Sequence, residues 1–271
     1  MVIRELLREL SACLGENGEF EARELLMYAA KMSLTEVTLG RNTELSPDTE
    51  AAVRALARRR MSGEPLQYIT GTAEFMGLEF TVTPDTLIPR QDTETLVEAV
   101  LPYAGGRVLD IGCGSGCIGI SIAHFTGAEV TLLDVSAAAL KIAAANAERN
   151  KVSVRCVNCD ILSDMPEGRF DMIVSNPPYI RSDVIETLET DVRDHEPRTA
   201  LDGGADGLMF YRRITDIAAE LLTDGGILAY EIGFDQGGDV LKILKEKFIN
   251  ARLIRDYCGN DRVIIAEKRN V

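Results

Sequence analysis

The sequence has little of three things: long apolar runs, basic residues and histidine. Charged side chains interrupt every apolar stretch of the 271-residue chain before the roughly 18 residues that a membrane-spanning helix requires. The first ten residues, MVIRELLREL, mix charged and apolar side chains as an amphipathic helix does, unlike the apolar core of a signal peptide. We therefore expect no membrane association and a cytoplasmic location.

Basic residues are outnumbered, because 29 lysines and arginines stand against 43 aspartates and glutamates, for a formal net charge of −14. Phosphate neutralisation supplies most of the affinity of general nucleic-acid binders. The acidity therefore favours a small-molecule or protein substrate over direct binding of DNA or RNA.

Histidine and cysteine do not form an obvious catalytic or metal site. His124 and His195 lie on a predicted helix and in a charged loop, without a neighbour that suggests a catalytic base. The close pairs CGSGC and CVNC could supply four thiolates to zinc. We favour reduced, mostly buried thiols, because Cys113 lies in a glycine loop with another role and Cys156 and Cys159 flank a strand end. No metal is predicted.

The first part of the chain has a helical pattern. Apolar residues recur at three- and four-residue spacing over about 60 residues, and Ser46-Pro47 is a plausible N-cap and first-turn proline. The stretch AEFMGLEFTVTP then alternates around a glycine, as a short β-hairpin does. We predict a helical domain over 1–70, a β-hairpin linker over 71–85 and a third region over 86–271.

From residue 107 onward, short apolar strands alternate with helical stretches. This alternation predicts an α/β fold with a mostly parallel, Rossmann-like sheet. The last two strands, in ARLIRDYCGNDRVIIAEK, are joined by a Gly-Asn-Asp turn. They predict an antiparallel strand at the edge of that sheet.

A glycine loop follows the first strand of this sheet. In VLDIGCGSGCIGISIA (108–123), Gly112, Gly114 and Gly116 allow a tight turn before a helix N-terminus, where backbone can approach a ligand. A dinucleotide fingerprint has the spacing G-x-G-x-x-G, whereas the spacing here is G-x-G-x-G. Asp134 ends the next strand, where an acid can accept both hydroxyls of a ribose, and Asp160 follows the third strand. An NAD site or a purely structural loop remains an alternative at this point.

The tetrapeptide Asn176-Pro177-Pro178-Tyr179 follows the fourth strand, at the same edge of the sheet. An asparagine oxygen and a proline carbonyl can accept the hydrogens of an –NH2 group whose lone pair is delocalised. Tyr179 can stack on a flat amide or base. The alternative is a loop start in which the prolines only end the strand.

A glycine loop, an acid after the second strand and an acid after the third strand follow one another in this order. In this respect the sequence resembles the class I S-adenosylmethionine-dependent methyltransferases over about residues 105–268. The resemblance implies S-adenosylmethionine as cofactor, with the loop around its methionine portion, Asp134 on its ribose and Asp160 by its adenine. The implied cofactor-binding residues are Gly112, Cys113, Gly114, Ser115, Gly116, Asp134, Asp160, Ile161 and Asn176.

The tetrapeptide also resembles the [N/D]-P-P-[Y/F/W] motif of enzymes that methylate adenine N6, guanine N2 or glutamine N5. Two flanking stretches resemble the peptide chain release factor methyltransferases (the HemK/PrmC family): TLIPRQDTETLVE (86–98), in which Gln91 replaces the usual proline, and EPRTALDGGADGLMFYRRI (196–214). The helical first 60 residues resemble that family's N-terminal domain.

This family resemblance implies methylation of the glutamine amide in the Gly-Gly-Gln (GGQ) loop of class 1 release factors, which act in translation termination, by a monomer whose region 1–70 docks the release factor. It implies catalytic roles for Asn176, Pro177 and Tyr179. The implied substrate-binding residues are Asn176, Pro177, Pro178, Tyr179 and Arg90. A ribosomal-protein glutamine methyltransferase and a nucleic-acid amine methyltransferase remain the alternatives.

Overall fold

A computed structural model describes residues 1–269, which divide into two compact units. The first unit contains residues 1–71 together with the later segment Glu189–His195. The second contains Thr72–Leu188 and the chain from Glu196 onward. The segment Glu189–His195 thus folds with the helical unit, although it lies within the range 86–271 that the sequence assigns to the sheet domain.

The first unit is helical. Its helices bury apolar residues that recur at helical spacing, such as Ile3, Leu6 and Leu10 on the first helix. Ser46 caps the fourth helix by accepting a hydrogen bond from Thr49 N at 3.1 Å, and Pro47 occupies its first turn, as predicted. The helices are α1 (Ile3–Leu14), α2 (Gly18–Ala30), α3 (Leu34–Leu39), α4 (Pro47–Met61), α5 (Leu66–Thr70) and, from the later segment, α9 (Thr190–His195).

The second unit contains a seven-stranded sheet and a separate two-stranded hairpin. The hairpin strands are β1 (Thr72–Phe75) and β2 (Leu78–Thr81). The sheet strands are β3 (Arg107–Ile111), β4 (Glu129–Asp134), β5 (Val154–Asn158), β6 (Phe170–Ser175), β7 (Leu222–Glu231), β8 (Phe248–Arg255) and β9 (Asp261–Lys268).

The strand order is β5-β4-β3-β6-β7-β9-β8. All neighbouring pairs from β5 to β7 are parallel, whereas β9 pairs antiparallel with both β7 and β8. This arrangement confirms the predicted mostly parallel sheet and its antiparallel last strand. The expectation that this strand lies at the edge is wrong, because β9 inserts between β7 and β8 and leaves β8 as the edge strand. Because the order reverses between β3 and β6, the carboxyl ends of these two strands flank the crevice where such sheets bind ligands.

Helices cover both faces of the sheet, and each face has its own apolar core. Leu109 and Ile111 of β3 belong to one core, whereas the preceding Val108 belongs to the other, as the two-residue period of a strand requires. The helices are α6 (Gln91–Val100), α7 (Cys117–Thr126), α8 (Ala137–Arg149), α10 (Arg198–Leu201), α11 (Met209–Leu221) and α12 (Gly237–Leu244); short 3₁₀ turns span Leu101–Tyr103 and Ile185–Thr187.

The hairpin packs on α8, and the buried Asn146 makes two hydrogen bonds at this contact. Asn146 accepts from Thr81 N at 2.7 Å and donates to Thr81 O at 3.0 Å. The same amide donates to Ser115 O, in the glycine loop, at 2.9 Å. The predicted linker is therefore held against the sheet unit.

The expectation of mostly buried thiols is wrong. Cys113 and Cys117 are buried, Cys159 is half-buried, and Cys13, Cys156 and Cys258 are exposed. Cys156 is exposed because β5 is an edge strand, of which neither face is fully covered. Within the described chain, no helix is long and apolar enough to span a membrane.

Candidate active site

The glycine loop between β3 and α7 is shaped by close packing of its last residue. Gly116 has φ of 81°, in the region that favours glycine. A Cβ on Gly116 would lie 2.8 Å from Ile120 Cδ1 and 3.1 Å from Ala143 Cβ. A side chain here would crowd Ile120 of α7 and Ala143 of α8 and would also be strained by the positive φ, so glycine is favoured at this position.

Asp134, at the carboxyl end of β4, joins the glycine loop to the start of α8. Its two oxygens accept from Gly114 N at 2.9 Å and from Ser136 N at 2.8 Å. Burial raises the pKa of Asp134, although these backbone N–H groups oppose the shift. Ser136 caps α8 by accepting from Ala139 N at 3.1 Å, so Asp134 is not needed as the cap.

Asp110 lies beneath the loop and is fully buried. Its Oδ2 accepts from Gly119 N at 2.9 Å, whereas its Oδ1 has no hydrogen-bond partner within the described part of the chain. Burial raises the pKa of Asp110 to about 7, and the negative charge of Asp134 adds to that shift. One buried carboxyl oxygen thus stays available near the loop.

A cavity of about 660 Å³ opens at the carboxyl ends of β3, β4 and β6. Its volume lies within the usual range of small-molecule sites. Predicted residues that line it are Gly112, Gly114, Asp134, Asp160, Ile161, Asn176, Pro177 and Pro178. The structure therefore brings the predicted cofactor residues and the Asn-Pro-Pro segment to one cavity.

Five predicted site residues do not line this cavity: Cys113, Ser115, Gly116, Tyr179 and Arg90. Cys113 packs in the apolar core, and burial raises the pKa of its thiol. Ser115 is buried, with its carbonyl bound by Asn146. These two loop residues and Gly116 contribute packing and backbone shape, and the cofactor-contact roles assigned to them stay predictions.

The Asn-Pro-Pro-Tyr segment is held at both ends. Before it, the buried Ser175 hydroxyl donates to Ile111 O of β3 at 2.7 Å. After it, Ile180 N donates to Leu201 O at 3.0 Å, and Gly203 N donates to Ile180 O at 2.7 Å. The segment is thereby tied to the central strand and to the 201–204 loop.

Gly203 lets that loop approach the segment very closely. A Cβ on Gly203 would lie 2.7 Å from Tyr179 Cα and 2.8 Å from Pro178 O. Tyr179 O also accepts from Gln236 Nε2 at 3.0 Å. Burial raises the pKa of the Tyr179 phenol to about 12, so it stays neutral at physiological pH.

Asn176 contacts two buried polar side chains. Its Nδ2 donates to Thr93 Oγ1 at 3.3 Å. The carboxylate of Glu231, at the end of β7, lies close enough to both side chains for hydrogen bonding by Thr93 and Asn176 to lower its pKa. Thr93 and Glu231 are 3% and 2% exposed, so these contacts lie outside the reach of bulk water.

The RQDTE part of the signature stretch makes four separate tertiary contacts. Arg90 forms an ion pair with the buried carboxylate of Glu196. Asp92 pairs with Arg262 of β9 at 3.0 Å, and Glu94 accepts from Met76 N of the hairpin turn at 2.6 Å. The remaining contact is that of Thr93 with Asn176. The start of α6 therefore connects β6, β9 and the hairpin.

Sequence reasoning did not single out several residues of the site. The cavity is also lined by Thr86, Leu87, Leu162, Arg198, Thr199, Asp202, Met209 and Phe210. Most of them lie in the two stretches that carry the family resemblance, which was the available signal. Thr93 and Glu231 were missed because Thr93 resembles an ordinary first-turn residue and Glu231 an ordinary strand end.

The strand order and the cavity at the carboxyl ends of β3, β4 and β6 define a class I S-adenosylmethionine-dependent methyltransferase. A solved methyltransferase from Pyrococcus furiosus aligns with a TM-score of 0.56 at 22% identity, covering 72% of this chain and 91% of its own. A Thermus thermophilus 16S rRNA guanine-N2 methyltransferase, solved with AdoMet and guanosine, aligns with a TM-score of 0.52 at 22% identity, covering 73% of this chain and 50% of its own. At these identities the likeness shows the fold.

Sequence relatives narrow the class to a family. A family model described as the methyltransferase small domain matches residues 90–192, and one described as the PrmC N-terminal domain matches residues 3–71. The release factor glutamine methyltransferase of Geobacter sulfurreducens is 43% identical over 92% of this chain and 89% of its own. That of Moorella thermoacetica is 41% identical over 98% of this chain and 96% of its own. The chain belongs to the release factor glutamine methyltransferase family.

Proposed function

We propose that this protein methylates the side-chain amide nitrogen (N5) of the glutamine in the GGQ loop of class 1 release factors. One observation carries the proposal. The Asn-Pro-Pro part of the tetrapeptide lines the same cavity as the glycine loop and Asp134, the acid predicted to bind the ribose. The amide acceptor groups and the methyl-donor loop thus face one space. The full-length relatives named for this activity support the choice of substrate.

The residues present fit S-adenosylmethionine. Asp134 and Asp160 at strand ends would hold its ribose and adenine side, with Ile161 and Leu162 supplying apolar contact. Asp110 lies beneath the loop, fully buried and outside the cavity lining, so its part is to hold the loop through Gly119 N. When bound, S-adenosylmethionine supplies a methyl group on a positively charged sulfur.

The chain's own contribution is alignment of the target amide. An amide nitrogen is a poor nucleophile because its lone pair is delocalised into the carbonyl. The Asn176 Oδ1 and a proline carbonyl accept its two N–H hydrogens, which turns the nitrogen toward the methyl and stabilises the positive charge that develops on it. Holding the reactants in this geometry removes much of the entropic barrier. The amide nitrogen forms the new N–C bond with its own lone pair, the donor sulfur keeps the electron pair of the broken S–CH3 bond, and the nitrogen, now positively charged, releases one N–H proton to water. No base therefore has to act before the methyl is transferred.

We assign partner docking to the helical unit. Five of its large apolar side chains are at least half exposed: Phe20, Tyr28, Leu34, Leu39 and Met61. Single exposed apolar residues are common on protein surfaces, and docking requires that several of them act together as one patch. Replacing both Leu39 and Phe20 by Asp should raise KM for intact release factor while turnover of a short GGQ peptide is unchanged. Equal loss on both substrates would contradict docking by this unit.

The deciding experiment is transfer of labelled methyl from S-adenosylmethionine to purified release factor, beside the same factor with its GGQ glutamine replaced by alanine. We expect label on the first and none on the second. Label that is unaffected by the alanine, or that appears on ribosomal protein, RNA or DNA instead, would contradict the proposal. Light scattering of the enzyme during the assay tests the expected monomer, and fractionation of cells tests the expected cytoplasmic location.

A further inference from the structure

Asn176 has to face one way for the proposed chemistry. Its amide group carries an acceptor and a donor of nearly the same shape, and a 180° flip exchanges them. When Oδ1 points toward the target –NH2 group, Asn176 accepts a hydrogen bond from it. When Nδ2 points there instead, two hydrogen-bond donors face each other. The surrounding side chains must therefore decide the flip.

The two side chains behind Asn176 do decide it. The Glu231 carboxylate can only accept hydrogen bonds, and it lies close enough to Thr93 and Asn176 for hydrogen bonding by their side chains to lower its pKa. Thr93 has one hydroxyl hydrogen, and giving it to Glu231 leaves Oγ1 as an acceptor for Asn176 Nδ2 at 3.3 Å. Both neighbours thus accept from the nitrogen side of Asn176. A flipped amide would place its oxygen against acceptors in a dry site.

We propose that Thr93 and Glu231 are positioning residues that hold the Asn176 amide with its Oδ1 toward the methyl acceptor. This inference rests on the proposed methyl transfer to an amide nitrogen. Donation from Nδ2 to a carboxylate also polarises the amide and strengthens Oδ1 as an acceptor. Retaining this buried carboxylate has a stability cost, because Oε2 of Glu231 has no partner within the described residues.

The charge of Glu231 responds to groups on every element around it. Burial raises its pKa to about 7, and the Thr93 and Asn176 hydrogen bonds and the nearby Arg262 oppose that shift. The titratable and charged groups that face it are Arg262 on β9, Asp92 on α6, Tyr179 after β6, Tyr211 on α11 and Cys117 on α7. Protonated Glu231 could donate a hydrogen bond to Asn176, and it would then no longer favour one orientation of the Asn176 amide.

Thr93 provides a matched series of variants. Thr93→Val keeps the shape and removes the hydroxyl, and we expect kcat to fall about tenfold with the KM for S-adenosylmethionine within about twofold. Thr93→Ser keeps the hydroxyl and should recover most of the activity. The control is Thr95→Val on the same helix, because Thr95 is also buried but its hydroxyl has no partner among the described residues. Lower activity for Thr93→Ser than for Thr93→Val would mean that packing matters, and would overturn the proposal.

Glu231→Gln tests the charge. Protonated glutamate resembles glutamine, so the ratio of wild-type to variant kcat should be about tenfold at pH 8 and approach one below pH 6. The unfolding temperature at pH 8 should not fall. The substitution removes a buried charge, while Arg262 keeps its ion pairs with Asp92 and Asp256. A ratio that is independent of pH, or a strongly lowered unfolding temperature, would contradict the role given to Glu231.

A readout that does not depend on the substrate separates this inference from the proposed function. In protein labelled with ¹⁵N at asparagine, the Asn176 side-chain –NH2 resonances should shift in Thr93→Val and in Glu231→Gln and stay in place in Thr95→Val. If the variants shift the Asn176 resonances in this way but the wild-type enzyme does not label release factor, the proposed substrate is wrong and the positioning role stands. Resonances that ignore both variants, or full turnover by both, would refute the positioning.

Discussion

Two sides of the cavity are built by different means: the side proposed to hold the cofactor, around Gly112, Gly114 and Asp134 (the cofactor half), and the side proposed to hold the target amide, around Asn176 (the target half). The cofactor half uses backbone: a glycine loop, strand ends and short acids that bind neighbouring N–H groups, as Asp134 does with Gly114 and Ser136. The target half uses side chains from distant parts of the chain, since Asn176 and Thr93 are 83 residues apart in sequence.

This difference has a physical basis. A cofactor with many polar groups can be held by many weak backbone contacts, so the geometry of any single contact can vary with little effect on binding. A single –NH2 group has two hydrogens and must be aimed, so its acceptor has to be rigid. Rigidity in the target half comes from the buried Thr93 and Glu231 and from the close approach of Gly203. We therefore expect changes in the target half to lower kcat and changes in the cofactor half to weaken cofactor binding.

Removal of the aligning amide should have the largest effect. Asn176→Ala deletes an acceptor whose contribution grows as charge develops, so kcat should fall by about 100- to 1,000-fold. S-adenosylmethionine affinity, measured by calorimetry, should weaken far less. If cofactor binding vanished in step with turnover, Asn176 would belong to the cofactor half and the comparison would break.

Asp134→Ala should have the opposite profile. Loss of a carboxylate that accepts charge-assisted hydrogen bonds should weaken S-adenosylmethionine binding by about 10- to 100-fold, with much less change in kcat at saturating cofactor. The matched control is Asp235→Ala, at an exposed turn. A large fall in kcat with unchanged cofactor affinity would show that the two halves are not separable.

Gly203→Ala probes how tightly the target segment is packed. Its Cβ would meet Pro178 O and the Tyr179 backbone at under 3.0 Å, and overpacking of this kind costs about 1 to 3 kcal/mol. Denaturant unfolding should show the loss, and kcat should fall more than cofactor affinity.

Gly238→Ala on α12 is the control for this prediction, since its Cβ would meet nothing within 4 Å. It should leave both stability and kcat near those of the wild type. An equal loss of stability in both alanine variants would show that close packing at Gly203 is not the cause.

The last expected effect is a dependence of stability on pH. Asp110 and Glu231 have pKa values raised to about 7 from 3.8 and 4.5. A folded state that binds a proton more tightly than the unfolded state is most stable at low pH, and that advantage is lost as pH rises from about 4.5 to about 7. Each group should contribute on the order of 1 to 3 kcal/mol. The unfolding temperature of the cofactor-free protein should fall between pH 5 and pH 8.

Glu231→Gln and Asp110→Asn should each flatten that pH dependence. Together the two variants divide the effect between the target half and the cofactor half. A profile that neither substitution changes would mean that other groups cause it.

Much of the fold was predictable because its signals are local. The strand–helix alternation, the Ser46 cap and the closing hairpin each depend on residues within a few positions of one another. The glycine loop and Asp134 were found for the same reason, because a loop that follows a strand reaches the ligand edge by topology alone. The family signature was visible in RQDTE, but its partners Glu196, Arg262, Asn176 and Met76 were not.

Sequence by itself determined the sheet class, the position of the glycine loop and the position of the Asn-Pro-Pro-Tyr segment after the fourth strand. These depend on local propensity and on the rule that strand ends of a parallel sheet meet at one edge. Only the tertiary structure decided that Thr93 and Glu231 lie behind Asn176, and that Gly116, Cys113 and Ser115 shape the loop without lining the cavity. Which side chains become buried neighbours depends on the packing of elements that are far apart in the chain, and no local pattern records that packing.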